Sequence, residues 1–202
     1  MNLNPDRKLT TRLFNPFIHT ADVQALWIGL AAILIAGGIG ALSDSHFDGV
    51  LDFHTGSRSM PLWILFSEGI VNWLCLSAVL VIAGKIISKT AFRMIDVFGT
   101  QALARWPSIF LALIVLPMAS KLKGLNVSQH SQLEPSTEGM ALTIFFGLVM
   151  IPFVCWMVLL MYRAFSLCCN VRGAKAIWTF IAGLLLAEIL SKIIINGLFH
   201  LI

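Results

Sequence analysis

The chain has 202 residues, of which 58% are hydrophobic and 12% charged, and its mean hydropathy is +0.87. Ordinary globular domains carry about 25% charged residues, so this chain lacks the polar groups needed to cover a water-facing surface. The composition argues against a soluble enzyme, a nucleic-acid-binding protein and a disordered tail, and it indicates an integral membrane protein. The net charge of +4 is then expected to set membrane orientation.

Five apolar segments are each long enough to cross a bilayer, which takes about 20 residues in a helix. Backbone polar groups must be satisfied internally in lipid, and the segments show no strand-like alternation, so we expect helices. The prediction is an all-α polytopic membrane protein, a bundle of five transmembrane helices in a single domain spanning residues 1–202. The predicted spans cover about residues 23–42, 61–87, 102–119, 140–162 and 175–199.

Basic residues collect on one side of the predicted spans, which by the positive-inside rule is the cytoplasmic side. We therefore expect the N-terminus in the cytoplasm, and Arg105 just inside the third span at the inner surface. The opposite side is rich in acidic residues. Ten of the 14 basic residues fall on the inner side: Arg7, Lys8, Arg12, Lys85, Lys89, Arg93, Arg105, Arg163, Arg172 and Lys175.

Three charged residues lie inside predicted spans, where charges are costly and usually functional. Glu188 and Lys192 share a face of the fifth span at i,i+4 spacing, and Asn196 extends that face. Asn72 stands in the same relation to Glu68 on the second span. We expect the two spans to face each other around a polar pocket open to the outside. The alternative is an ion pair that only fixes helix packing.

The first outer loop contains a dense set of metal-type ligands. Carboxylate oxygens combined with imidazole nitrogens suit zinc, manganese or iron. The loop also resembles the start of a calcium-binding EF-hand, but it departs from that pattern at the third and twelfth positions, so calcium is the less expected divalent metal. The alternative is a solvated acidic loop with a turn and a helix cap. The ligand-type residues are Asp44, His46, Asp48, Asp52 and His54.

The loop and the spans can together form one site, because the second span follows the loop directly. In that arrangement Glu68 joins three loop residues as a metal ligand, with Glu188 and Lys192 beneath. No P-loop, nucleophile elbow or H-E-x-x-H pattern is present, so catalytic residues are left unassigned and an enzyme is less expected than a non-enzyme. The primary candidate ligands are Asp48, Asp52, His54 and Glu68, followed by Asp44 and His46.

Five stretches of the sequence carry a family resemblance: residues 15–17, 46–54, 95–107, 169–176 and 187–192. They resemble bacterial members of the Yip family, the Ypt/Rab-interacting-protein-like membrane proteins. The resemblance covers most of the chain and implies five spans with the N-terminus inside, in the bacterial inner membrane. Eukaryotic members bind Rab-type GTPases through a cytosolic N-terminal region, but here about 20 residues precede the first span, and we do not expect GTPase binding.

These observations favour a small transporter, a channel or a membrane-organising protein with a cation-binding site near the outer face. One alternative is a membrane-embedded metal-dependent hydrolase in which the metal activates water. Another is a structural scaffold without a ligand. We expect the lipid bilayer as a partner and a small cation or small molecule as the ligand. A homo-oligomer is compatible with the sequence, and nucleic acid is not an expected partner.

Overall fold

The computed structural model describes residues 13–20, 22–43, 45–55, 61–118 and 137–199. In this part of the chain the fold is helical, apart from a two-residue antiparallel ladder that pairs Ser45–His46 (β1) with His54–Thr55 (β2). Short 3-10 turns occupy Pro16–Ile18 and Leu116–Met118. The α-helices are Asp22–Leu42 (α1), Leu62–Ile87 (α2), Met94–Leu103 (α3), Ser108–Val115 (α4), Thr137–Cys168 (α5) and Gly173–Phe199 (α6).

The helical prediction is confirmed: five helical segments of the described chain are long and apolar enough to cross a membrane. Four of them overlap the predicted spans closely. The third differs, because it covers Met94–Val115 and combines α3 with α4, whereas residues 102–119 were predicted. The prediction began too late because polar residues in the first half of this segment were interpreted as lying outside the span.

The segment formed by α3 and α4 lies at the centre of the bundle, which explains its polarity. It is the least apolar of the five candidate spans, yet 67% of an 18-residue stretch within it is buried, against 39% or less in the corresponding stretches of the others. Helix α3 packs against α1, α2 and α5. Gln101, fully buried, donates a 3.0 Å hydrogen bond to the carbonyl of Met161 on α5. A polar side chain is tolerated here because its partner is protein.

Arg105 lies in the turn between α3 and α4, midway between Met94 and Val115. Pro107 follows in the same turn, and its missing N–H is consistent with the break in the helix. The side chain of Arg105 is only 2% exposed. The expectation that Arg105 lies at the inner surface is therefore wrong: the residue is inside the bundle, where its side chain contacts the loop between α1 and α2.

That loop, residues 45–55, is called the acidic loop below. It folds back into the bundle instead of extending away from it. Phe47 and Val50 are buried, and the rings of Phe47 and Phe53 lie 4.5 Å apart. The β1–β2 ladder closes the base of the loop. The loop therefore adds its own apolar side chains to the core and presents its backbone to the helices.

The opposite end of the bundle, called the basic end below, contains residues 13–20, 88–93 and 169–172. Arg93 makes two hydrogen bonds with Asp22 at the start of α1, at 3.0 and 3.1 Å. The Cys168 thiol at the end of α5 lies 3.5 Å from the carbonyl oxygen of Asp96 near the start of α3. The basic residues of these segments thus share one end, as their pattern along the sequence indicated.

Candidate cation site

Glu68 on α2 anchors the start of the acidic loop. One carboxylate oxygen lies 3.1 Å from Nδ1 of His46, and the other accepts a 3.0 Å hydrogen bond from the backbone N–H of Phe47. One turn further along α2, Asn72 donates a 2.6 Å hydrogen bond to the carbonyl of Phe47. Glu68 and Asn72 are both buried. These two residues replace the hydrogen bonds to water that the loop backbone loses when it enters the bundle.

Two further residues bind the tip of the loop. Arg105 donates a 3.3 Å hydrogen bond from Nη2 to the carbonyl of Val50. Glu188 accepts a 2.9 Å hydrogen bond from the backbone N–H of Leu51. Nη1 of Arg105 is buried and has no hydrogen-bond partner among the described residues. Sequence reasoning missed this role of Arg105; the signal available was an arginine within an apolar stretch with no acidic residue nearby in the chain.

Three side chains of the acidic loop converge on one point. One ligand atom from each of Asp48, Asp52 and His54 lies within 4.8 Å of the other two. Nδ1 of His54 is 3.6 Å from Oδ1 of Asp48 and 3.7 Å from Oδ1 of Asp52. Ligands placed tetrahedrally at 2.0–2.2 Å from a metal are about 3.4 Å apart. The three groups therefore need to move little to coordinate one ion.

Asp48 provides the strongest sign of a missing partner. Its Oδ1 atom is buried and has no hydrogen-bond partner among the described residues. Nδ1 of His54, at 3.6 Å, lies beyond hydrogen-bonding distance of this oxygen, and a bound cation would supply the close partner that a buried carboxylate oxygen needs. The residues present therefore fit a small divalent cation. Glu68 does not belong to this group, since both of its oxygens are engaged by the loop.

Lys192 on α6 lies beside the three ligands. Its Nζ is 2.6 Å from Oδ2 of Asp52 and 3.5 Å from Oε1 of Glu188. Burial would raise the pKa of Asp52, but the hydrogen bond and charge of Lys192, together with His54, outweigh burial and lower it. Asp52 is thus held as a carboxylate, with one oxygen toward Lys192 and the other toward His54.

His46 lies at the base of the same cluster, and its ring centroid is 4.2 Å from that of His54. Burial of the His46 ring opposes protonation. The hydrogen bond and charge of Glu68, with the charges of Asp48 and Asp52, outweigh burial and raise the pKa of His46 above 6.5. The imidazolium form of His46 is therefore favoured by the carboxylates around it.

The charges of this cluster do not balance unless protons or cations bind. Counted over the described residues, the cluster has four carboxylates and two cationic side chains. The carboxylates belong to Asp48, Asp52, Glu68 and Glu188, and the cations are Arg105 and Lys192. The cluster is neutral only when both imidazoles, His46 and His54, are protonated. With His46 protonated, as its raised pKa favours, and His54 neutral, an excess of one negative charge remains, which a bound cation would offset.

A cavity of about 340 Å³ leads to this cluster. It is lined by Asp48 from the loop and by four residues of α6: Lys192, Ile193, Ile195 and Asn196. Asp52 and His54 are 42% and 44% exposed, so an ion can reach them without unfolding the loop. The structure thus places Asn196 at the cavity and Asn72 at the loop anchor. Asp44 lies outside the described residues.

Comparisons of this chain with protein-family models, with curated proteins and with solved structures found no match.

Proposed function

We propose that this chain is a multi-pass protein of the bacterial inner membrane, related to the Yip family, with its N-terminus in the cytoplasm. In this proposal it is a small transporter or channel for a divalent cation. The cation enters the cavity from the outer side and binds Asp48, Asp52 and His54. Zinc, manganese or iron suit these oxygen and nitrogen ligands better than calcium does.

The proposal rests on one observation: the ligand atoms of these three residues converge in a loop that returns into a helix bundle. Irregular backbone is tolerated at membrane depth only where it is buried in protein or lines a water-filled cavity. Transporters place their ion sites at interrupted helices of this kind. Here the loop tip meets the break between α3 and α4 at Arg105, so the cation site adjoins the discontinuity of the bundle.

Flux in proteoliposomes tests the proposal. The double variant Asp52→Asn/His54→Ala should reduce Mn²⁺ uptake, followed with a trapped fluorescent indicator, by at least tenfold. The matched control Asp96→Asn/His19→Ala removes the same residue types near the basic end and should leave uptake within twofold. Equal uptake by the two double variants, with equal monodispersity on gel filtration, would overturn the transport function.

Orientation is tested separately, because a wrong orientation would move the cavity to the cytoplasmic side. A green fluorescent protein fused before Met1 should fluoresce in cells, whereas alkaline phosphatase fused at the same point should be inactive. The opposite pattern would contradict the N-terminus-inside topology.

A structural scaffold is the second candidate function. It is favoured by the hydrogen bonds that the carboxylates of Glu68 and Glu188 accept from the loop backbone. In that case the buried charges only hold the loop against the helices. The scaffold predicts that purified protein binds neither Mn²⁺ nor Zn²⁺ in equilibrium dialysis. Stoichiometric binding that the Asp52→Asn/His54→Ala variant loses would exclude it.

A further inference from the structure

A second cavity lies at the basic end of the bundle, remote in the chain from the acidic loop. It measures about 180 Å³ and is called the basic-end cavity below. Ligand pockets for drug-sized molecules start at about 300 Å³, so this cavity suits a smaller group. Among the described residues, its lining includes two arginines and no carboxylate: Asn15, Arg163, Ser166, Leu167, Asn170 and Arg172.

One wall of the basic-end cavity is the segment that precedes α1, which is tied to α5 by three contacts. Trp156 donates a 3.2 Å hydrogen bond to the carbonyl of Leu13. Arg163 donates a 2.7 Å hydrogen bond from Nη1 to the carbonyl of Phe14. The rings of Phe14 and Trp156 lie 5.7 Å apart. The wall is therefore held in place, and the bond from Arg163 uses only one of the five N–H donors of its guanidinium.

The other wall is the turn between α5 and α6. Ser166 donates a 2.6 Å hydrogen bond to the carbonyl of Val171, which fixes the turn. Asn170 closes α5 in a left-handed conformation, with φ of 50°. Helix α6 then begins at Gly173, directly after Arg172. The positive end of this helix therefore begins directly after a residue that lines the cavity.

Asn15 adds an acceptor to this basic surface. It lines the cavity, and its Oδ1 atom is buried without a hydrogen-bond partner among the described residues. Arg93, also at the basic end, is paired with Asp22, whereas the two cavity arginines form no ion pair within the part of the chain that the structure describes. The cavity thus combines cationic donors with one unsatisfied acceptor. A phosphate could pair with the arginines, but it would leave the acceptor of Asn15 without a hydrogen-bond donor.

We propose that the basic-end cavity binds a phosphate ester that also bears a hydroxyl or ammonium donor. Arg163 and Arg172 bind the phosphate, and Asn15 accepts from the donor group. Arginine suits this role because its planar guanidinium binds phosphate oxygens in pairs. An anionic phospholipid headgroup and a free glycerol phosphate share this chemistry. The proposal does not depend on the cation site.

The test uses the full chain purified in dodecyl maltoside and two probes, dioctanoyl phosphatidylglycerol and glycerol 1-phosphate. Binding is followed by native mass spectrometry for the lipid and by calorimetry for the ester. Arg172→Gln should weaken binding of the preferred probe by at least tenfold. Lys89→Gln removes the same charge from an exposed position at the same end and should change binding by less than twofold.

Each outcome decides the proposal. Binding of the lipid with this dependence on Arg172 supports it and identifies a membrane headgroup as the source. Binding of glycerol 1-phosphate with the same dependence supports it and identifies a free ester. Equal weakening by Arg172→Gln and Lys89→Gln would show general surface charge and overturn the site, as would the binding of neither probe. Asn15→Ala should weaken binding while leaving the charge unchanged.

Discussion

The carboxylate of Glu188 accepts a 2.9 Å hydrogen bond from the backbone N–H of Leu51, a residue 137 positions earlier in the chain. Glu188 lies in the middle of α6, so this bond brings the tip of the acidic loop deep into the bundle. A backbone N–H buried away from water requires an acceptor. Glu188 therefore holds the tip of the acidic loop whether or not a cation is bound.

Removing that acceptor should destabilise the protein. Glu188→Ala leaves the N–H of Leu51 without its partner. Because this hydrogen bond is only partly buried, the loss is expected at the lower end of the cost of an unsatisfied group, about 1 kcal/mol. Glu188→Gln keeps a side-chain oxygen and should lose less than half as much free energy of unfolding. Titration with SDS in mixed micelles measures both values. Equal losses in the two variants would show that the negative charge, not the hydrogen bond, stabilises the loop.

Gly49 should be intolerant of any side chain. A Cβ at this position would overlap the Glu188 carboxylate and lie 2.9 Å from Cε of Lys192. Glu188 cannot move aside without breaking its bond to Leu51, so Gly49→Ala should lower the free energy of unfolding by about 1–3 kcal/mol, as overpacking does. Gly38→Ala is the matched control, because the nearest atom to its Cβ lies 4.0 Å away. A Gly49→Ala variant as stable as Gly38→Ala would contradict the close packing of the loop.

The helices were predictable from the sequence because their apolar runs are long, and lipid-facing or core-facing positions both demand apolar residues. The exception, α3, shows the limit of this reasoning. Its polar residues Thr100 and Gln101 lower the hydropathy that defines a span, yet both are buried against protein. Hydropathy measures the affinity of a segment for lipid. It therefore gives too low a span score to a helix such as α3, which is surrounded by other helices.

The candidate site was predictable in its residue types and not in its arrangement. Asp48, Asp52 and His54 are close in the chain, and a cluster was expected from their spacing alone. Glu68 was grouped with them because the second span follows the loop directly, but in the structure its carboxylate accepts a hydrogen bond from the backbone of Phe47. Arg105 could not be assigned to the loop at all, since its contact with Val50 joins residues 55 positions apart.

Stability should depend on pH through His46. Its pKa is raised in the folded protein, so the folded state holds this proton more tightly than the unfolded state does. The resulting stabilisation is fully present below about pH 6.5 and is lost as the pH rises through the raised pKa. The titratable groups that face this ring include Glu68 from α2 and Asp48, Asp52 and His54 from the loop.

Thermal unfolding between pH 6 and 9 measures this effect. The midpoint temperature of the wild-type protein should fall across this range. Glu68→Gln removes the strongest partner of His46 and should flatten the profile, although it lowers stability at every pH. His19→Ala removes an exposed histidine at the basic end of the bundle and should leave the pH profile unchanged. A wild-type midpoint temperature that rises between pH 6 and 9 would contradict the predicted loss of stability as His46 is deprotonated.

A divalent cation should stabilise the protein through Asp48, and this effect separates a ligand site from a structural one. A ligand that binds only the folded state adds about 2.7 kcal/mol of stability at 100 times its Kd. Mn²⁺ or Zn²⁺ at saturating concentration should therefore raise the unfolding midpoint of the wild-type protein. Asp48→Asn should abolish the increase, because Oδ1 of Asp48 is a buried carboxylate oxygen of the cluster with no hydrogen-bond partner among the described residues.

The metal-free protein should respond to the same substitution in the opposite direction. Even with Lys192 beside Asp52, the carboxylates of the metal-free cluster exceed its positive charges, and removal of the Asp48 charge reduces this excess. Asp48→Asn in excess EDTA should then unfold at or above the wild-type midpoint. A purely structural Asp48 predicts a lower midpoint with and without metal. Asp96→Asn, near the basic end, should keep the full metal-dependent increase, so any loss in that variant would indicate nonspecific binding to surface carboxylates.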